Sequence, residues 1–140
     1  MGSGVNQGTA IFLVESSHET CLILKKILQT AGYRVIVALD EKDALGLAQS
    51  GLLEADLIFV GQGRLEAEQA LNLGRQLREY LPCREAIPII VAAEDYGEEL
   101  CGQDIAVGSN QYLAYLEDAA QLIRLVARLT ARQDEAAAVE

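Results

Sequence analysis

The chain has no tryptophan, only two prolines, and a single histidine and a single methionine. Positive charge is scarce as well: 11 Lys and Arg stand against 21 Asp and Glu, for a formal net charge of −10. A surface that acidic repels nucleic-acid phosphates and an anionic membrane leaflet, so neither is expected as a partner. No run approaches the ~18 consecutive apolar residues that a membrane-spanning helix needs. The three cysteines, Cys21, Cys83 and Cys101, form no CxxC pair and have only His18 as a histidine in the chain. That excludes the usual zinc spacings and a disulfide framework, and fits reduced thiols in a cytoplasmic protein. Met1–Gly8 lacks the basic flank and apolar stretch of a signal peptide and is read as a flexible leader. Residues 133–140 are read as a flexible tail or truncated linker, which leaves one domain over 9–132.

What is present is apolar and regularly segmented, with 51% hydrophobic residues. Short apolar runs at Ala10–Val14, Arg34–Ala38, Asp56–Val60, Pro88–Ala92 and Gln111–Tyr115 read as strands. Amphipathic segments separate them. Ser17–Ala31 follows a Ser16/Glu19 capping box and ends at Gly32, and Asp40 opens a short helix that ends at Gly51. A third helix carries Leu65, Leu71, Leu77 and Leu81 up to Pro82, and Asp118 caps a last one with Leu122, Ile123, Val126 and Leu129 inward. Asp95–Val107 reads as the weakest helix, because Gly97 and Gly102 each cost about 1 kcal/mol there relative to alanine. Strands apolar throughout and strictly alternating with helices predict a parallel sheet buried on both faces, the three-layer α/β (βα)5 class. Sites in such sheets form at the carboxyl ends of the strands, just after Val14, Val60, Ala92 and Ala114.

The segments FLVESS, AGYRVIVALDEKDAL, EADLIFV, IPIIVAAED and VGSNQYL, taken in order and spacing, resemble the receiver domains of bacterial two-component response regulators over roughly Ala10–Ala131. The resemblance implies a flavodoxin-like parallel five-stranded sheet in the order 2-1-3-4-5. It also implies a phosphorylation pocket: an aspartate at the end of the third strand, Mg²⁺ held with an acidic pair after the first, a hydroxyl after the fourth and a lysine after the fifth. A carboxylate that attacks a phosphoryl group needs that cation and lysine to offset the collected negative charge.

At the matching positions the chain departs. Glu15 is followed by Ser16, Gly61 stands at the nucleophile position, Ala93 at the hydroxyl and Tyr115 at the lysine, with Leu116 replacing the proline that usually follows. Asp56 lies five residues from Gly61, about 16 Å at ~3.3 Å per residue, and cannot substitute. Gly61-Gln62-Gly63 has neither phosphate-loop spacing nor a following lysine. The chain is therefore read as a degenerate receiver, a pseudo-receiver, with no catalytic residue, metal or cofactor of its own. Glu15, Ser16, Gly61, Ala93 and Tyr115 make up its emptied pocket; Tyr115 is placed as an amphipathic plug of it. Tyr112 and Tyr96, with Arg124 and Arg128 on the last helix, are the candidate switch and contact residues.

The expected function is a non-enzymatic, phosphorylation-independent protein-interaction module in two-component, phosphorelay-type signalling. Its partner would be a kinase, an output domain or another signalling protein. The alternative is a small-ligand sensor that uses the vacated pocket. A homodimer stays open, although Asn110 and Gln111 replace acids common in the family's salt-bridged dimer.

Overall fold

The computed structural model describes residues 8–139 apart from 83 and 95, and for 132–139 the backbone only. Six strands form one sheet: β1 (Ala10–Val14), β2 (Arg34–Ala38), β3 (Leu57–Gly61), β4 (Ile89–Ala92), β5 (Asp104–Gly108) and β6 (Gln111–Ala114). Their order is β2-β1-β3-β4-β6-β5, parallel throughout except for the antiparallel β5 at the edge. Four helices accompany them: α1 (His18–Thr30), α2 (Glu41–Gln49), α3 (Ala67–Glu79) and α4 (Ala119–Val139).

The three layers follow from the period of two in the strands. Phe12, Val14, Ile58, Val60, Ile89 and Val91 point to one face, where Ala44 and Ala48 of α2 and Leu71, Leu73 and Leu77 of α3 cover them. Ile11, Leu13, Leu57, Phe59 and Ile90 point to the other, against Cys21 and Leu28 of α1 and Leu122, Leu125, Val126 and Leu129 of α4. β1 is buried along its whole length, and Phe12 and Phe59 are wholly inaccessible. Burying each such side chain contributes ~1.5–3 kcal/mol.

Helix ends obey local chemistry. Ser17, not Ser16, caps α1: its Oγ accepts the Thr20 N–H at 3.2 Å. Gly32 leaves that helix at φ +101°, where a side chain would be strained. The Asp40 carboxylate accepts the Asp43 N–H at 2.7 Å to start α2. Asp118 accepts the Gln121 N–H at 2.8 Å, while Gln121 accepts the Glu117 N–H at 2.7 Å. α4 runs on to Val139, so helical backbone continues through 133–139 of the segment read from sequence as a flexible tail or truncated linker. The leader up to residue 7 lies outside the described residues.

Among the described residues of 95–107 the expected fourth helix does not form. A short 3-10 turn at Glu98–Leu100 is followed by β5, which makes the sheet six-stranded and extends the expected 2-1-3-4-5 order by one antiparallel edge strand. The reason is local. Gly102 takes φ +87°, its N–H donates to the Tyr115 carbonyl at 2.7 Å, and Tyr115 N–H donates to the Gln103 carbonyl at 2.8 Å. Asp104-Ile105-Ala106 then pairs with β6, Val107 falls at a register irregularity before Gly108 pairs with Gln111, and the two-residue turn Ser109-Asn110 has Asn110 at φ +57°. Two glycines and a β-branched stretch favour a hairpin over a helix.

Candidate functional site

The carboxyl ends of β1 and β3 open onto a cavity of about 590 Å³ lined by Glu15, Ser16, Ser17, Asp40, Glu41, Gly61, Gln62, Gly63, Arg64 and Glu94, with Val14, Val60, Leu65 and Leu73 as its apolar floor. Glu15 and Gly61 sit together because Val14 pairs with Val60 in the β1–β3 ladder, and the next residue of each strand emerges at the same rim. Glu15 is only 7% exposed. Its Oε2 accepts the Ser17 N–H at 3.0 Å. A Cβ at position 61 would run into Glu15 Oε1, so the carboxylate now occupies that space and would have to turn aside for a side chain on residue 61. Burial pushes the Glu15 carboxyl above its ordinary value; the Ser17 N–H pulls it back, and the neighbouring Glu94 charge adds to the rise.

Gln62 organises the other wall; the sequence reading weighed it only within Gly61-Gln62-Gly63 as a phosphate loop and set it aside. Its side-chain oxygen accepts the Glu94 N–H at 2.8 Å, its amide donates to the Leu65 carbonyl at 3.0 Å, and its own N–H donates to the Ala92 carbonyl at 3.0 Å. One side chain thereby ties the loop after β3 to the loop after β4. The only signal was its place beside Gly61 at a strand end, where polar side chains face inward across the rim. Ser17, Arg64 and Glu94 were likewise not singled out as pocket residues.

The residues named from sequence divide into two groups. Glu15, Ser16 and Gly61 line the cavity together. Ala93 is half-buried beside it, its N–H bonded to the Ala114 carbonyl at 2.9 Å. Tyr115 is drawn away: its ring meets Tyr96 edge to face, with centroids 5.0 Å apart, and it is not among the cavity's lining residues, so the expected plug is not formed there. The Tyr96 hydroxyl donates to the Leu116 carbonyl at 2.7 Å, and burial raises its pKa. Tyr112 is 9% exposed and packs inward on the α1–α4 side. Arg128 pairs with Asp104 at 2.7 Å, and Arg124 is exposed one turn earlier. His18 is the exposed first residue of α1, Cys21 is buried, Cys101 is exposed, and Cys83 lies outside the described residues.

The cavity is acidic, with Glu15, Asp40, Glu41 and Glu94 against one basic lining residue, Arg64. It nevertheless does not suit the magnesium ion that the resemblance implies. Among the described residues no three His, Cys, Asp or Glu side chains are grouped to hold a metal. Glu15 is turned into the Gly61 space with one oxygen held by a backbone N–H. Magnesium asks for an octahedral set anchored by carboxylates or phosphates, and the cavity's carboxylates are not gathered into such a set among the described residues.

Solved structures of receiver domains superpose on this architecture. The N-terminal domain of a response regulator/sensory box/GGDEF protein from Carboxydothermus hydrogenoformans aligns with a TM-score of 0.68 at 18% identity, covering 92% of this chain and 99% of that one. The receiver domain of a sensor histidine kinase from Pseudomonas aeruginosa, with a magnesium ion coordinated in its active-site cleft, gives 0.64 at 26% identity over 89% and 98%. A chemotaxis protein of the CheY type from Vibrio cholerae gives 0.63 at 21% over 86% and 98%. The chain has the receiver fold. No protein-family model and no curated protein sequence matches it. In this receiver-fold domain the cavity described above lies where the fold class places its sites, at the carboxyl ends of the central parallel strands. Among the described residues no helix is long and apolar enough to cross a membrane.

Proposed function

We propose that this chain is a degenerate receiver domain that acts in two-component-type signalling without being phosphorylated, by docking on a protein partner such as a kinase, an output domain or another cytoplasmic signalling protein. The observation that carries the reading is the exchange at the rim of β1 and β3. Residue 61 has no side chain to attack a phosphoryl group, and the Glu15 carboxylate fills the space instead. A phosphoryl group there would meet Glu15 and Glu94 with only Arg64 to offset the charge, against the requirement for a cation and a lysine. Meanwhile the surrounding scaffold is intact and tightly packed, as expected of a domain kept for its surface. Incubation with acetyl phosphate and Mg²⁺ followed by intact-mass measurement tests this: no gain of about 80 Da is expected, the mass of one phosphoryl group replacing a proton. A hydroxylamine-labile adduct would overturn it.

A second reading has a specific observation in its favour. A cavity of about 590 Å³ with a buried carboxylate falls within the range of small-molecule sites, ~300–1,000 Å³. A ligand sensor would show a rise in melting temperature with at least one member of a broad metabolite set, abolished by Glu15→Ala. A flat thermal-shift profile across the set counts against it.

A further inference from the structure

β5 is the last strand of the sheet, and among the described residues no strand lies beyond it. Its pairing with β6 settles which way its backbone points. Tyr115 N–H bonds to the Gln103 carbonyl, and the register then runs Asp104↔Ala114, Ile105↔Leu113, Ala106↔Tyr112. Hydrogen-bonded and non-bonded pairs alternate in an antiparallel ladder, so Gln103 and Ile105 bond inward while the N–H and C=O of Asp104 and Ala106 face outward. Exposed edges are normally protected by lysine, proline or inward charge. Here Ile105 is 39% and Val107 41% exposed, and the one irregularity, between Ala106 and Gly108, leaves 104–106 regular.

We propose that this edge pairs with the β5 of a second copy of the chain, continuing the sheet antiparallel across a twofold axis. An antiparallel strand is its own complement under a twofold. With Ile105 opposite Ile105 of the second copy, the outward groups of Asp104 fall opposite those of Ala106 and exchange hydrogen bonds, and no like charges meet across the ladder. On the α3 side, Ile105 and Leu113 share a face, and their mates extend it into a row of four apolar side chains. On the α4 side an acid and a base on this edge are already in contact, Asp104 and Arg128, with Glu117 beside Gly102 ahead of the strand and Arg124 one turn before Arg128. Two copies bring two of each, so each arginine can reach the other copy's aspartate. Most of a chain with net charge −10 repels its own kind; this edge carries a matched pair. The pairing is independent of whether the β1–β3 rim accepts a phosphoryl group.

Sedimentation equilibrium of the 140-residue chain should show a reversible monomer–dimer equilibrium. Ala106→Pro removes an outward N–H without touching the β6 ladder, and Ile105→Lys sets two cations face to face across the axis. Each should weaken the dimer at least ~10-fold while circular dichroism and melting stay close to the parent. In a Cys101→Ser background, Ile105→Cys should form a disulfide between copies on oxidation, because a non-hydrogen-bonded pair brings the two Cα atoms to ~4.5 Å. A chain that stays monomeric up to about 1 mM overturns the proposal. So does a dimer that both substitutions leave intact and that Ile105→Cys does not cross-link.

Discussion

The two ends of the sheet obey different physics. Around β1 and β3, residues 10–14 and 57–60 are all buried, helices close both faces, and even the polar Glu15 at the rim is enclosed. At the β5 edge a hairpin takes the place of a helix: Ile105, Ala106, Val107 and Gly108 are all exposed, and an ion pair to Arg128 flanks them. One end is over-determined by packing, so a change there is costly and its chemistry is held in place. The other has backbone hydrogen-bonding capacity and apolar area to spare, which is what a recognition surface requires.

The contrast can be broken by substitution. Phe59→Ala, at full burial, should destabilise by about 3–5 kcal/mol in urea unfolding, whereas Val107→Ala should stay within about 0.5 kcal/mol. Equal costs would mean that β5 belongs to the same cooperative core. Gly61→Asp, which drives a side chain into Glu15, should cost about 1–3 kcal/mol. Adding Glu15→Ala should return much of that loss, and a double-mutant cycle with no coupling would show that the two residues do not share the space.

A smaller effect concerns pH. Glu15 is raised above its ordinary 4.5 chiefly by burial, so the folded chain holds that proton more tightly than the unfolded one. The stability this lends is present in acid and is lost as pH climbs from 4.5 through the raised folded pKa. Glu15→Gln should therefore flatten the decline of stability between pH 4.5 and the raised folded pKa, read from melts across pH 4–8. An unchanged slope would place the carboxylate in water. The smallest effect belongs to the edge: Arg128→Ala removes a half-exposed ion pair and should cost about 0.2–1 kcal/mol, shrinking with added salt.

Much of this was legible without coordinates. The runs at Ala10–Val14 and Arg34–Ala38 coincide with β1 and β2, and β3, β4 and β6 differ from their predicted runs by a residue at one end or both. Uninterrupted apolar runs bounded by glycine, proline and acidic caps have few other ways to be buried. The 95–107 segment was misread because strict βα alternation was carried through a stretch whose own residues opposed it. Gly97, Gly102, the Ile-Ala-Val run and Gly-Ser-Asn together spell a hairpin. At the site, the apolar runs placed Glu15 and Gly61 at strand ends, and the receiver resemblance made those strands neighbours. That Gln62 would bridge two loops, and that Tyr115 would turn to Tyr96, could not.

Periodicity and caps are local properties, so the sequence by itself determined the alternating elements, the buried parallel strands and the lack of a carboxylate at position 61. Which side chain moves into the space that glycine leaves, and which strand is left at the margin of the sheet, depend on contacts between residues far apart in the chain. Glu15 and Gly61 are separated by 46 positions, and β5 becomes an edge only because β6 already lies beside β4. Those outcomes were decided by tertiary packing, which selects among locally acceptable conformations by the space and hydrogen-bonding partners that distant segments provide.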